Sequence, residues 1–162
     1  MLCIGLFGTC GDSTWRKEFI EKYESEKMIY FNPQVPDWNE ALAQVEAEHL
    51  VNDDIILFPV TDETYATGSL AETGFSIMQA INSNSHRSIV IMIDGIVKPE
   101  LIDANPVAAK ESTRARALVK AHLKKVNHPN VYIVSSFNEM LAVSLKLYRA
   151  HENIAEVRKL IS

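Results

Sequence analysis

Five short apolar runs, separated by longer amphipathic segments, are the feature that most constrains how this chain can fold. The run at 54–60 is apolar almost throughout, which is typical of a strand buried on both faces. Between the runs, apolar residues recur at helical spacing, as Trp15, Phe19 and Tyr23 do on the first such segment. Strands that alternate with helices form βαβ units and a parallel sheet. The predicted strands cover residues 2–7, 28–31, 54–60, 88–94 and 131–134.

The segments between these strands predict helices, two of which begin with capping signals. Asn105 before Pro106 is typical of an N-cap and a first helical residue, and Ser136 is expected to cap the closing helix. Right-handed crossovers favour an α/β three-layer sandwich, flavodoxin-like or Rossmann-like, around a doubly wound five-stranded parallel sheet. The other predicted helices cover about 14–26, 38–51 and 69–82, and the one after Asn105 runs to about 126.

Length and composition favour a single domain over residues 1–162. A chain of 162 residues that is 47% apolar can bury one sizeable core. No apolar stretch of roughly 18 residues predicts a membrane span, and the first residues lack the basic region of a signal peptide. The net charge of −5 gives no general attraction to nucleic acid polymers. We therefore expect a cytoplasmic protein that binds neither membranes nor nucleic acid polymers.

The cysteine and histidine residues show no pattern of a disulfide framework or a metal site. Cys3 lies among apolar residues and Cys10 in a glycine-flanked loop. The five histidines have no ligand spacing on one helix face, so we expect no metal and no cofactor. Basic residues after Asn105 predict a solvated helix face; they are Lys110, Arg114, Arg116, Lys120, Lys124 and Lys125.

The predicted sheet already indicates where a ligand would bind. Ligands of open α/β sheets bind beyond the carboxyl ends of the strands. The corresponding segments are 8–14, 32–39 and 61–72, together with the loop after Asp94. Polar and aromatic residues that face no obvious core are concentrated in the first three.

The first of these loops has two interpretations. Its Gly8-Thr9-Cys10-Gly11 sequence favours either a phosphate-binding loop or a plain strand-to-helix turn, because glycine suits both. Trp15 and Arg16 follow at the helix start. Both are candidates for a structural role, and Arg16 is also a candidate for holding an anion.

Glu72 also has two interpretations. Ser69 and Glu72 match the spacing of a capping box, in which the two side chains satisfy amide groups at a helix start. Alternatively, Glu72 faces the cleft on the first helical turn, with Gly68 allowing a close approach. A carboxylate placed there could attack an anomeric carbon and form a glycosyl-enzyme intermediate.

Several short motifs together resemble the nucleoside 2-deoxyribosyltransferase superfamily, in its nucleoside 2-deoxyribosyltransferase-like branch. They lie within about residues 4–80, half of the chain, in the order expected for the family. The motifs are Gly8-Thr9, Ser13-Thr14-Trp15-Arg16, Phe31-Asn32-Pro33, Asp37-Trp38, Glu46, Asp53-Asp54-Ile55-Ile56-Leu57 and Gly68-Ser69-x-Ala71-Glu72-x-Gly74.

The resemblance implies a flavodoxin-like fold and cleavage of an N-glycosidic bond. The family's nucleophile falls on Glu72, and its second acidic residue falls on Glu46, for which an exposed helix carboxylate is the other interpretation. The resemblance further implies a homo-oligomer. Implied substrate-binding residues are Gly8, Thr9, Trp15, Arg16, Gly68 and Ser69, with Asn32, Asp37 and Trp38 near the base.

One position departs from the family pattern. Ala66 stands where nucleoside transferases carry an Asp and deoxynucleotide hydrolases a Ser. The departure therefore leaves open whether the substrate is a (2′-deoxy)ribonucleoside or a nucleotide. It also leaves open whether the sugar passes to another base or to water. The alternative function is a non-catalytic Rossmann-like module that binds a nucleotide or an ADP-ribose derivative.

Overall fold

Across residues 2–37, 39–83 and 86–161, which the computed structural model describes, five parallel strands alternate with helices. The strands are β1 (Ile4–Leu6), β2 (Tyr30–Phe31), β3 (Ile55–Val60), β4 (Ser88–Ile93) and β5 (Val131–Ile133). The helices are α1 (Arg16–Ser25), α2 (Glu40–Asn52), α3 (Thr67–Ser83), α4 (Pro99–Ala104), α5 (Pro106–Leu123) and α6 (Phe137–Leu160).

The strands form one sheet in the order β2-β1-β3-β4-β5. All pairs are parallel, with Ile4 of β1 opposite Ile55 of β3 and Ile56 opposite Ile89 of β4. The order changes direction at β1, between β2 and β3. The structure confirms the predicted flavodoxin-like α/β sandwich, and ligands of such sheets bind beyond the carboxyl ends of the strands at this switch point.

Two apolar cores lie on opposite faces of the sheet, because successive strand residues point to opposite sides. Ile55 and Leu57 of β3 pack in one core with residues of α1 and α6. Ile56 and Phe58 pack in the other, which includes residues of α3 and α5. Every residue of β3 is buried, as its unbroken apolar run predicted, and every residue of β4 is buried as well.

The helices confirm the predicted caps and add one element. The Asn105 side chain accepts a hydrogen bond from the Ala108 amide, and the Ser136 side chain accepts one from the Glu139 amide. The short helix α4, with Pro99 in its first turn, was not predicted. No helix in the described part of the chain is long and apolar enough to cross a membrane.

Arg116 corrects the prediction of a solvated basic face on α5, because it is completely buried. Its Nη2 donates hydrogen bonds to the carbonyl oxygens of Thr61 and Thr64, at 2.8 and 2.9 Å. Its Nη1 donates to the carbonyl oxygens of Val60 and Asp94, at 3.3 and 3.2 Å. The guanidinium thus supplies hydrogen-bond donors to backbone carbonyls at and just beyond the ends of β3 and β4.

We expect Arg116→Met to lower the free energy of unfolding by about 3 kcal/mol or more, because several buried carbonyls lose a charged donor. The matched control is Arg114→Met on the same helix, since the Arg114 side chain is 73% exposed and only 3.9 Å from Glu111. That change should lower the free energy of unfolding by less than about 1 kcal/mol. Urea unfolding of both variants measures the difference, and equal midpoints would contradict the role given to Arg116.

Candidate functional site

A cleft of about 480 Å³ opens beyond the carboxyl ends of β1 and β3. The loops after β1 and β2 form two of its walls, and the beginning of α3 forms a third. We call it the β1–α3 cleft. It is lined by Phe7, Gly8, Cys10, Gly11, Pro33, Gln34, Val35, Pro36, Glu46, Gly68, Ser69 and Glu72.

Gly8 allows the loop after β1 to lie against the end of β3. Its φ is +86°, and a Cβ at this position would lie 2.3 Å from the carbonyl oxygen of Pro59. The next residue, Thr9, donates its amide to that same oxygen at 2.8 Å. The Thr9 hydroxyl accepts a hydrogen bond from the Thr61 amide at 2.9 Å. Gly8 thus lines the cleft, whereas the buried Thr9 anchors the loop behind it.

Gln34 joins the loop after β2 to the loop after β1. Its side-chain amide donates to the carbonyl oxygens of Gly11 and Ser13, at 2.5 and 3.0 Å. In the same loop, Asn32 Oδ1 accepts a hydrogen bond from the backbone amide of Gln34 at 3.0 Å. The two bonds from the Gln34 side chain hold the loops after β1 and β2 together across the switch point of the sheet.

The start of α3 corrects the predicted capping box. The helix begins at Thr67, so Ser69 lies inside the first turn rather than at the N-cap. The Ser69 carbonyl accepts a hydrogen bond from the Thr73 hydroxyl at 2.5 Å. Within the described residues no side-chain hydrogen bond joins Ser69 to Glu72. Glu72 therefore has no capping role here, and its carboxyl lines the cleft together with Gly68 and Ser69.

The charges that line the cleft are negative. Among the described lining residues, Glu46 of α2 and Glu72 of α3 carry the ionisable carboxyls, and no Lys or Arg lines the cleft. Glu72 is exposed at the cleft surface, but partial desolvation in the cleft raises the pKa of its carboxyl above the ordinary value for Glu, and the negative charge of Glu46 raises it further. The charge of one helix thus acts on a carboxyl of another across the cleft.

Arg16 lies behind the loop after β1 and is buried. It donates hydrogen bonds to the carbonyl oxygens of Leu6, Thr9 and Phe7, at 2.9, 2.7 and 3.3 Å. Its Nη2 also lies 3.2 Å from the Cys10 sulfur. The structure therefore places this cation among backbone carbonyls of the loop, and it is not part of the cleft lining.

Trp15 is likewise part of the scaffold beneath the cleft. Its indole N–H donates to the Thr9 carbonyl oxygen at 3.1 Å. Its ring stacks on Phe137 of α6, with the ring centroids 6.0 Å apart. Of the three candidates near the base, Asn32 and the exposed Asp37 are outside the cleft lining, and Trp38 lies outside the described residues.

Some cleft residues were not singled out from the sequence. Gln34, Val35 and Pro36 line it. They fall within the segment 32–39, which a predicted strand end had indicated. The topology was therefore the signal that could have found them, since no motif marks them individually.

The half of the chain that forms the cleft matches one protein family. The family model described as nucleoside 2-deoxyribosyltransferase-like matches residues 4–95, which include Glu46 and Glu72. The chain belongs to this family. The match bears out the resemblance that the motifs between Gly8 and Gly74 had indicated.

The fold also has a solved counterpart. The crystal structure of the RPS4 and RRS1 TIR domain heterodimer matches with a TM-score of 0.56 and 6% sequence identity. The match covers 91% of this chain and 97% of that chain. At this identity the likeness concerns the fold alone. The comparison with curated proteins found no match.

We expect Glu46→Gln to lower the pKa of the Glu72 carboxyl, because the change removes a negative charge that disfavours ionisation of Glu72. NMR titration of the side-chain carboxyl carbons measures the pKa directly. Glu48→Gln is the matched control, since Glu48 lies on the same helix but outside the cleft lining. A Glu72 pKa that is the same in wild type and Glu46→Gln would show that the two carboxyls are not coupled.

Proposed function

We propose that this nucleoside 2-deoxyribosyltransferase-like protein cleaves the N-glycosidic bond of a (2′-deoxy)ribonucleoside, with Glu72 as the nucleophile. The observation that carries the proposal is the position of the Glu72 carboxyl. The carboxyl lines a cleft at the switch point of the sheet and does not cap α3. Glu72 also lies within residues 4–95, which match the family model.

In the proposed reaction the ionised Glu72 carboxylate attacks C1′ of the sugar. The bond from C1′ to the base nitrogen breaks through an oxocarbenium-like transition state, and its electron pair leaves with the base, which takes up a proton. The sugar is then held as an ester on Glu72. A second base, or water, attacks C1′ from the opposite side and restores the carboxylate.

The charge of the cleft favours a nucleoside over a nucleotide as the substrate. Glu46 and Glu72 are acidic, and the buried Arg16 already donates to carbonyl oxygens at the end of β1 and in the loop that follows it. A phosphate on the sugar would meet negative charge without a compensating donor from a lining Lys or Arg. A neutral nucleoside avoids this cost.

Ala66 favours neither substrate class. It stands at the position where nucleoside transferases carry an Asp and deoxynucleotide hydrolases of the superfamily a Ser, and its methyl side chain offers no hydrogen-bonding group to a sugar or to a phosphate. Its φ of +52° also sets the turn that begins α3. The choice of a nucleoside over a nucleotide therefore depends on the charge of the cleft.

We expect Glu72→Gln to lower base release by on the order of 10⁴-fold, because the amide cannot act as the nucleophile. Purified protein is incubated with 2′-deoxyinosine, with and without adenine, and free hypoxanthine and 2′-deoxyadenosine are separated by chromatography. Adenine-dependent formation of 2′-deoxyadenosine identifies a transferase. Release of hypoxanthine without adenine identifies a hydrolase.

Glu48→Gln is the control, since it removes one carboxylate from α2 outside the cleft lining, and it should retain wild-type activity. Wild-type base release by Glu72→Gln would overturn the role of Glu72. Saturable binding of a nucleotide or an ADP-ribose derivative by the wild-type protein, with no base released from any nucleoside, would favour the non-catalytic binding module.

We expect kcat/KM for a nucleoside to exceed that for its 5′-monophosphate by at least about 10-fold, because the phosphate is desolvated beside two carboxyls. The assay compares 2′-deoxyinosine with its monophosphate at constant ionic strength. A preference for the monophosphate would contradict the inference from cleft charge, and would leave the role of Glu72 to be decided by the Glu72→Gln result.

A further inference from the structure

A second cluster of reactive side chains lies at the amino ends of β1 and β3, whereas the β1–α3 cleft lies at their carboxyl ends. Cys3 directly precedes β1, His49 lies in the last turn of α2, and Asp53 follows α2 just before β3. Because Cys3 and Asp53 precede parallel strands, they lie at the amino ends of those strands. None of the three residues lines the β1–α3 cleft, and His49 lies one helical turn after Glu46 on α2.

The three side chains are close enough to share one ion. One potential ligand atom from each of Cys3, His49 and Asp53 lies within 4.8 Å of the other two. His49 Nδ1 lies 2.9 Å from Asp53 Oδ1. The His49 ring also stacks on Phe31, with centroids 3.6 Å apart and planes 3° apart, which orients its nitrogen atoms.

The backbone holds Cys3 against the segment that carries Asp53. The Cys3 amide donates to Asp54 Oδ2 at 3.1 Å, and the Asp54 amide donates back to the Cys3 carbonyl oxygen at 3.1 Å. Arg87 donates from its Nε to the carbonyl oxygen of Asp53. These contacts position the ligand-bearing segments, and the Cys3 thiol itself interacts with the Asp53 carboxyl.

The Asp53 carboxyl has an atom that the protein leaves without a partner. Asp53 is only 3% exposed, and its Oδ2 is buried without a hydrogen-bond partner among the described residues. A Cβ on Gly5 would lie 2.3 Å from Cε2 of the Phe7 ring and 2.8 Å from this oxygen, so the Phe7 ring and the Asp53 carboxyl both pack against the glycine. Burying a carboxylate oxygen without a partner costs free energy, and a bound cation would remove that cost.

We propose that Cys3, His49 and Asp53 bind one zinc-type divalent metal ion. Thiolate sulfur, imidazole nitrogen and carboxylate oxygen are the ligands that Zn²⁺ takes, at about 2.0–2.3 Å in tetrahedral geometry. The Cys3 thiol proton passes to solvent when the sulfur coordinates the ion. The His49 side chain is 35% exposed, so the fourth position is open to water from that side.

The ion would act on stability rather than on base release. It would join the start of β1, the end of α2 and the start of β3, three segments that are distant in the sequence. Binding to the folded state but only weakly to the unfolded chain raises the unfolding temperature. Glu72→Gln should therefore bind the ion as wild type does, which separates this proposal from the proposed function.

The full-length protein is stripped of metal with a chelator, dialysed and titrated with Zn²⁺. We expect one ion per chain by elemental analysis after gel filtration, together with a rise in Tm. Co²⁺ then serves as a spectroscopic probe, because a cobalt–thiolate bond gives a charge-transfer absorption in the near ultraviolet. Cys3→Ser should lose this absorption and weaken binding by at least about 100-fold.

Cys10→Ser is the matched control, since Cys10 is the other free cysteine and lies at the cleft. It should keep the absorption and the affinity. Because replacement of the buried Asp53 risks misfolding, His49→Gln is the second ligand variant, and its fold is checked by circular dichroism. It should weaken binding while remaining folded.

Three results would overturn the proposal. The first is the absence of stoichiometric binding by the wild-type protein, which would make the cluster a hydrogen-bonded group without metal. The second is a cobalt–thiolate absorption that survives in Cys3→Ser. The third is loss of binding in a His86→Ala, His151→Ala double variant with the cluster intact, since these histidines line a separate surface pocket.

Discussion

Hydrogen bonds from buried arginines to backbone carbonyls fix the loops on which the rest of this structure depends. Arg16 donates to carbonyls at the end of β1, and Arg116 donates to carbonyls where β3 and β4 end. At the opposite ends of the strands, Arg87 donates to the carbonyls of Val51 and Asp53. Buried carbonyls beyond the end of a strand need hydrogen-bond donors, and one guanidinium supplies up to five N–H donors. The cations thus hold the connections between strands and helices.

This use of arginine sets the electrostatics of the cleft. Since the Arg16 guanidinium lies behind the loop after β1, it does not line the cleft with Glu46 and Glu72. Desolvation and the charge of Glu46 raise the pKa of the Glu72 carboxyl. In the proposed reaction, a partly desolvated carboxylate is a better nucleophile for a neutral sugar than a fully solvated one. The scaffold and the proposed chemistry thus use different charges: the arginines hold the loops, and the carboxyls line the cleft.

The sequence was a good guide to elements with strong local signals. All five strands lie within their predicted segments, and Asn105 and Ser136 cap helices as expected. The start of α3 was predicted two residues too late, because Ala66 adopts a positive φ of 52° and the Thr64 hydroxyl binds its amide. The motif between Gly68 and Gly74 indicated the family, which the match over residues 4–95 confirms. The roles of Glu72 and Glu46 stay predictions.

The sequence by itself determined the parallel sheet, the end of the sheet at which the cleft opens, and the family. Each depends on local patterns: apolar runs, helical spacing and several short motifs between Gly8 and Gly74. The tertiary structure alone decided that Arg16 and Arg116 are scaffold groups and that Cys3, His49 and Asp53 meet at one place. The physical reason is that these contacts join residues far apart in the chain. The direction in which an arginine side chain points follows from tertiary packing, as does the meeting of three distant segments. The spacing of residues along the sequence does not predict either.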